Sequence, residues 1–153
     1  MKIDGLLQPE DIIPSLAAET KEEALLELAA KVAERHPRLD RTDIFRVLQD
    51  REKLGSTGVG DGVAIPHGKL KRAGDLVLVF GRSKTGVNFD ALDGHKVHIF
   101  FLLIAPEEAF GLHLKMLGRI SRILKDPKVR KELLEAPDAA AIHGIIQEQD
   151  SRY

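Results

Sequence analysis

Cysteine is absent from the 153 residues of this chain. Disulfide frameworks, CxxC zinc sites, redox dithiols and thiol nucleophiles are therefore excluded. An excess of charge of one sign is also missing. The chain carries 23 Lys+Arg against 24 Asp+Glu, a formal net charge of -1, so no global basic field exists to hold a nucleic-acid backbone. Long hydrophobic runs are lacking. The longest, Ile99 to Ala105, falls far short of the roughly 20 residues that span a bilayer. The start, Met1-Lys2-Ile3-Asp4-Gly5-Leu6-Leu7-Gln8-Pro9, is too short and too broken for a signal-peptide core. These absences lead us to expect a cytoplasmic protein that neither spans a membrane nor binds nucleic acid. No repeat, low-complexity tract or Pro/Ser-rich linker interrupts residues 1–153, so a single domain is expected. With 43% hydrophobic and 31% charged residues, the composition is that of an ordinary globule. A chain of this length buries about two-thirds of its unfolded surface without a disulfide or metal staple.

What is present begins with a helix signal. Thr20-Lys21-Glu22-Glu23 is a capping-box pattern, followed by Leu25, Leu28, Ala29 and Val32 at helical spacing until Pro37. A second helix is expected from Asp40, with Ile44, Val47, Leu48 and Arg51 on one side and Gly55 as its stop. Val63-Ala64-Ile65, Leu76–Phe80 and Val97–Ile104 are short apolar runs of strand length, continuous enough to be covered on both faces. Asp93-Gly94 suggests a turn before the last of them. Pro106-Glu107-Glu108 is read as the opening of a helix that carries His113, Leu117, Ile120 and Leu124 on one side. Asp126-Pro127 and Pro137-Asp138 open two more. The order predicts an α/β fold, a mixed sheet sandwiched between helices on both faces.

The chemistry-bearing candidate is the glycine-rich segment from Gly55 to Gly68. It fails as a P-loop, because Gly62 and Gly68 enclose five residues and Lys69 is followed by Leu70. It fails as a dinucleotide fingerprint, because it follows a helix and leads into a strand. What remains is one histidine, His67, held at the end of an apolar strand. Pro66 fixes its own φ and keeps Ile65 extended, while Gly68 lets the backbone turn and another surface approach. An imidazole there is either a cap for a turn or, largely neutral at pH 7, a nucleophile. His113 lies on the apolar side of its helix, as a satisfied core residue or as a second polar group facing a pocket. Arg51, at a helix C-terminus, either serves the helix dipole and Glu52 or aims its guanidinium at a phosphoryl group near His67. His95 and His98 point to opposite strand faces and make a poor metal pair. His36 suits a helix end, and His143 reads as ordinary surface.

The 18 residues from 51 to 68, Arg51-Glu52-Lys53-Leu54-Gly55-Ser56-Thr57-Gly58-Val59-Gly60-Asp61-Gly62-Val63-Ala64-Ile65-Pro66-His67-Gly68, resemble the signature of enzyme IIA of the fructose/mannitol type. These are phosphocarrier domains of the bacterial phosphoenolpyruvate-dependent phosphotransferase system. The wording is most similar to the nitrogen-regulatory subgroup. The resemblance implies that His67 carries phosphate on Nε2 (the tele position), that His113 is its partner histidine, and that Arg51 lies near the phosphoryl group. It implies HPr or a nitrogen-type HPr paralogue as phosphoryl donor, with no metal, nucleotide or other cofactor. The output is then a regulated kinase or transporter, or alternatively an enzyme IIB of a sugar transporter. Ser56, Thr57, Gly58, Gly60, Gly62 and Gly68 are the expected phosphoryl or partner contacts, with Phe110 and Leu112 on the partner face.

Overall fold

The computed structural model describes residues 2–153 with the exception of the Phe110 side chain. Eleven strands and α-helices follow in order among the described residues: β1 (Ile12–Ile13), α1 (Lys21–Arg35), α2 (Arg41–Lys53), β2 (Gly58–Gly60), β3 (Val63–Ala64), β4 (His67–Lys69), β5 (Val77–Val87), β6 (Val97–Ala105), α3 (Phe110–Lys125), α4 (Pro127–Glu135) and α5 (Ala139–Asp150). The sheet is mixed. β5 and β6 form its antiparallel centre, β1 joins β5 in parallel, and β3 and β4 lie in succession along the other edge of β6. β2 folds back antiparallel on β3.

The sheet faces two apolar cores. Leu25, Leu28, Val32, Ile44 and Leu48 of α1 and α2 cover one face, against Val79, Phe100 and Leu102. Met116, Ile120, Leu133, Ile142 and Ile146 of the last three helices cover the other, against Leu78, Phe80 and Phe101. Successive residues of β5 and β6 therefore enter opposite cores, which is why these strands are apolar on both faces. The expected α/β sandwich is the observed architecture.

The helix starts follow from capping chemistry. The Thr20 hydroxyl accepts from the Glu23 amide while the Glu23 carboxylate takes the Thr20 amide. Asp40, Asp126 and Asp138 cap α2, α4 and α5. Three expectations are corrected. The run read as Leu76–Phe80 continues to Val87, because Gly81, Arg82 and Ser83 are buried strand residues despite their polarity. Arg82 is satisfied by the carbonyls of Pro14 and Leu133, at 3.0 and 2.9 Å, and by that of Ala136. Secondly, the helix expected from Pro106 starts at Phe110. The Ala109 amide closes a turn onto the Pro106 carbonyl, so residues 106–109 form a turn ahead of the helix. Thirdly, His143 is half-buried, and its Nε2 pairs with the Leu7 carbonyl oxygen at 2.9 Å, tying α5 to the N-terminal segment.

Two glycines shape the approach to β4. Gly55, at φ +144°, turns the chain out of α2 into the loop before β2. Gly58 is buried against Ala91, where an added Cβ would stand 2.8 Å from the Ala91 Cβ. We predict that Gly58→Ala lowers stability by about 1–3 kcal/mol through this overlap. A urea denaturation midpoint equal to that of the parent would contradict this placement of the loop.

Candidate functional site

β4 extends the β3 edge beyond an interruption at Ile65-Pro66. Proline has no N–H to give, but its carbonyl accepts the Leu103 amide at 3.0 Å, so the ladder with β6 continues through it. His67 thus opens a strand of its own, paired with Leu103, rather than ending the apolar one. The Ile65 amide turns away from β6 and donates to the Thr57 carbonyl at 3.0 Å. Gly68 packs its backbone on Val47 of α2, where an added Cβ would lie 3.1 Å from Cγ2. Among the described residues β4 has no strand on its outer side, and an open cleft of about 450 Å³ lies there between α2, β4 and α3. Arg51, His67, Lys69 and His113 are the basic residues lining it, and Asp50 of α2 is the acidic one.

The half-buried ring of His67 is held at both nitrogens. Nδ1 is 2.8 Å from the Ile65 carbonyl oxygen, which can only accept, so Nδ1 carries the proton. Nε2 lies 3.2 Å from Arg51 Nε, which can only donate, so Nε2 offers its lone pair. Both neighbours select the same neutral tautomer. Burial pushes the His67 pKa below the ordinary histidine value. The Ile65 carbonyl opposes that shift, the Arg51 charge adds to it, and Glu52 opposes it weakly. Arg51 also donates through Nη1 to the Gly55 carbonyl at 3.0 Å. It does not pair with Glu52, whose side chain turns the other way, to Lys21 and Thr57.

His113 stands beside His67, the ring centroids 5.3 Å apart and the planes at 86°. It is 6% exposed, and its Nδ1 is a buried side-chain atom without a hydrogen-bond partner among the described residues. Burial, then the neighbouring His67 and the Lys69 charge, push its pKa down to about 4. The ring is therefore neutral at pH 7. The core alternative raised by its apolar helix face does not describe it, because a satisfied core histidine has partners for both nitrogens.

The structure thus brings Arg51, His67, Gly68 and His113 to one cleft. The other glycine-rich candidates stand elsewhere. Thr57 is buried on Glu52, Ser56 accepts the Gly58 amide at 3.0 Å, and Gly58 faces Ala91. Gly60 and Gly62, both at positive φ, form the turn between β2 and β3 near Asp93 and His98. Leu112 is exposed on α3, and the Phe110 side chain lies outside the described residues. Three rim residues escaped the sequence reading. Lys69 is two residues from His67, on the same side of β4, and a strand assignment for 67–69 would have found it. Leu54 and Leu114, 84% and 54% exposed, form an apolar rim that no periodicity announces. Among the described residues no group of three or more His, Asp or Glu is arranged to hold a metal ion, and no helix is long and apolar enough to cross a membrane.

The relatives share this architecture. The family model described as phosphoenolpyruvate-dependent sugar phosphotransferase system, EIIA 2, matches residues 5–149. A nitrogen regulatory protein of Bradyrhizobium diazoefficiens is 46% identical over 146 residues, covering 95% of both chains. The fructose-specific EIIABC component of Bacillus subtilis is 37% identical over 150 residues, covering 98% of this chain and 24% of that protein. The crystal structure of the nitrogen regulatory protein IIA-Ntr from Neisseria meningitidis superposes with a TM-score of 0.86 at 33% identity, covering 92% of this chain and 96% of that one. The neutral histidine pair and its arginine sit on a scaffold shared along nearly its whole length, and the chain belongs to the EIIA 2 family of the phosphoenolpyruvate-dependent sugar phosphotransferase system.

Proposed function

We propose that His67 is the phosphoryl acceptor of this chain, taking phosphate onto Nε2 from a phosphohistidine of HPr or a nitrogen-type HPr paralogue. The observation that carries this reading is the pair of contacts on its ring, 2.8 Å from Nδ1 to the Ile65 carbonyl and 3.2 Å from Nε2 to Arg51. In the transfer the Nε2 lone pair forms a bond to phosphorus. The P–N bond of the donor breaks, and its electron pair returns to the donor imidazole. Positive charge develops on the His67 ring, where the Ile65 carbonyl already faces Nδ1–H. Arg51, next to Nε2, turns its donors onto the phosphoryl oxygens as they arrive. Phosphoryl transfer asks the protein mainly for positioning and charge stabilisation, which these groups supply. His113 contributes as a neutral ring, whose one N–H is available to a phosphoryl oxygen. The donor is a protein, and the exposed Leu54 and Leu114 give it an apolar rim on which to dock.

A regulatory output is favoured over sugar transport by the higher identity to the nitrogen regulatory relative, 46% against 37% for the fructose-specific protein. The chain then works in the cytoplasm. Its phosphorylation adds about two negative charges to a protein of net charge -1, a large local signal to a regulated kinase or transporter. In the alternative, the phosphoryl group passes on to an enzyme IIB.

Incubation with phosphoenolpyruvate, enzyme I and either carrier is expected to give an acid-labile, alkali-stable phosphate. His67→Ala should abolish it, and label retained in that variant would overturn the assignment. Arg51→Met should slow transfer by about 10²-fold, the scale of losing one charge-stabilising donor, whereas a rate within twofold of the parent would remove Arg51 from the reaction. A third expectation concerns pH. The folded His113 takes a proton only near pH 4 and the unfolded one near pH 6.5, so its contribution to stability is complete above about pH 6.5 and is lost as the pH falls towards 4. The loss is on the order of 3 kcal/mol. His67 and His36 are shifted in the same direction and add to it. Thermal melts between pH 7 and 4 should show a shallower decline in His113→Gln than in the parent. Equal slopes would contradict the buried, neutral ring.

A further inference from the structure

Glu52 has no part in the transfer described above, yet its carboxylate is almost completely buried, with the side chain 4% exposed. A buried charge is costly unless paired and hydrogen-bonded. Here Oε1 meets Lys21 Nζ of α1 at 2.9 Å and accepts the Thr57 amide at 3.0 Å, while Oε2 accepts the Thr57 hydroxyl. Lys21 is itself placed over the Phe89 ring, 4.8 Å from its centroid. The carboxylate therefore fixes the position of one residue, Thr57, relative to the two helices α1 and α2.

From Thr57 the contacts run directly to the reactive ring. The Thr57 carbonyl accepts the Ile65 amide at 3.0 Å, and the Ile65 carbonyl accepts His67 Nδ1–H at 2.8 Å. Arg51 precedes Glu52 in the last turn of α2 and grips the same loop from its other end, through the Gly55 carbonyl at 3.0 Å. The two adjacent side chains diverge, one to each nitrogen of the same imidazole: Arg51 directly at Nε2, Glu52 at Nδ1 through two backbone steps. We propose that Glu52 is a positioning residue for His67, its carboxylate acting through Thr57 and the Ile65 carbonyl to hold the imidazole in the Nδ1–H tautomer with its lone pair on Nε2. A nucleophile whose proton sat on Nε2 would present no electron pair to the cleft, so the fraction of the productive tautomer sets the rate. Its negative charge also opposes the acidifying effect of Arg51 on the ring.

This inference rests on His67 being the acceptor, and the test separates the two. Glu52→Gln keeps the side-chain size but has only one oxygen, so it cannot accept from the Thr57 amide and hydroxyl and pair with Lys21 as the carboxylate does. The tautomer of the unphosphorylated protein is read from long-range 1H–15N spectra of the His67 ring, and the kinetics from labelling by phosphorylated HPr. The parent should show Nδ1–H alone. Glu52→Gln should show a mixture of both neutral tautomers, with kcat lowered roughly tenfold, the scale of losing a partner that orients a histidine, and KM for the carrier unchanged. A variant that melts earlier but keeps the parental tautomer and kcat would make Glu52 a structural residue only and overturn the proposal. If Glu52→Gln does not fold, Thr57→Val, which keeps the amide contact and loses the hydroxyl, carries the same two readouts. A smaller shift in the same direction supports the proposal, and an unchanged ring overturns it. Absence of label in the parent would instead overturn the role of His67, while the tautomer measurement would still decide what Glu52 does to the ring.

Discussion

The Ile65 carbonyl accepts a hydrogen bond from His67 Nδ1–H, and the chemistry of the cleft depends on that bond. With the proton fixed there, Nε2 is a lone pair by elimination, and the N–H of Arg51 is the complementary neighbour for it. The register with β6 is the same before and after Pro66, and strand alternation turns the Ile65 amide and carbonyl away from β6, the amide to Thr57 and the carbonyl to the ring. On resuming as β4, the chain is pinned again by pairing with Leu103, Ile104 and Ala105. The outward side of one sheet edge thus supplies the acceptor, and pairing with β6 on the inward side supplies the rigidity.

Around that edge the fold sets protonation as much as position. Burial disfavours the charged form of both rings, and Arg51 and Lys69 disfavour it further. The result is two neutral imidazoles side by side in a cleft also lined by Arg51, Lys69 and the carboxylate of Asp50. The unpartnered Nδ1 of His113 shows the cost of this arrangement, since a buried polar atom without a partner loses about 1–3 kcal/mol of solvation. Evenly filled cores on both sheet faces offset that cost elsewhere.

Much of the frame was legible in the sequence, because capping residues and apolar spacing are local signals. Thr20, Asp40, Asp126 and Asp138 stand where the helices begin. The misread stretches share one cause: long-range partners satisfy groups that look wrong locally. Arg82 hid the second half of β5 because its guanidinium finds carbonyls from the residue just after β1 and from the end of α4. His143 read as surface because its partner, Leu7, is 136 residues away. Of the glycines read as phosphoryl or partner contacts, Gly58, Gly60 and Gly62 stand outside the cleft, in turns and close packing that ask for the same small residue.

By itself the sequence determined the tether of the His67 ring. Ile65, Pro66, His67 and Gly68 are neighbours in the chain, and the tether of the ring spans only two residues. Such short-range geometry follows from backbone rules that need no tertiary context. Only the tertiary structure decided what surrounds it. Arg51 comes from α2 and His113 from α3, on opposite sides of β4, and Lys21 reaches Glu52 from α1. Those distances are set by how the helices pack on the two faces of the sheet, and no spacing along the chain encodes a packing distance.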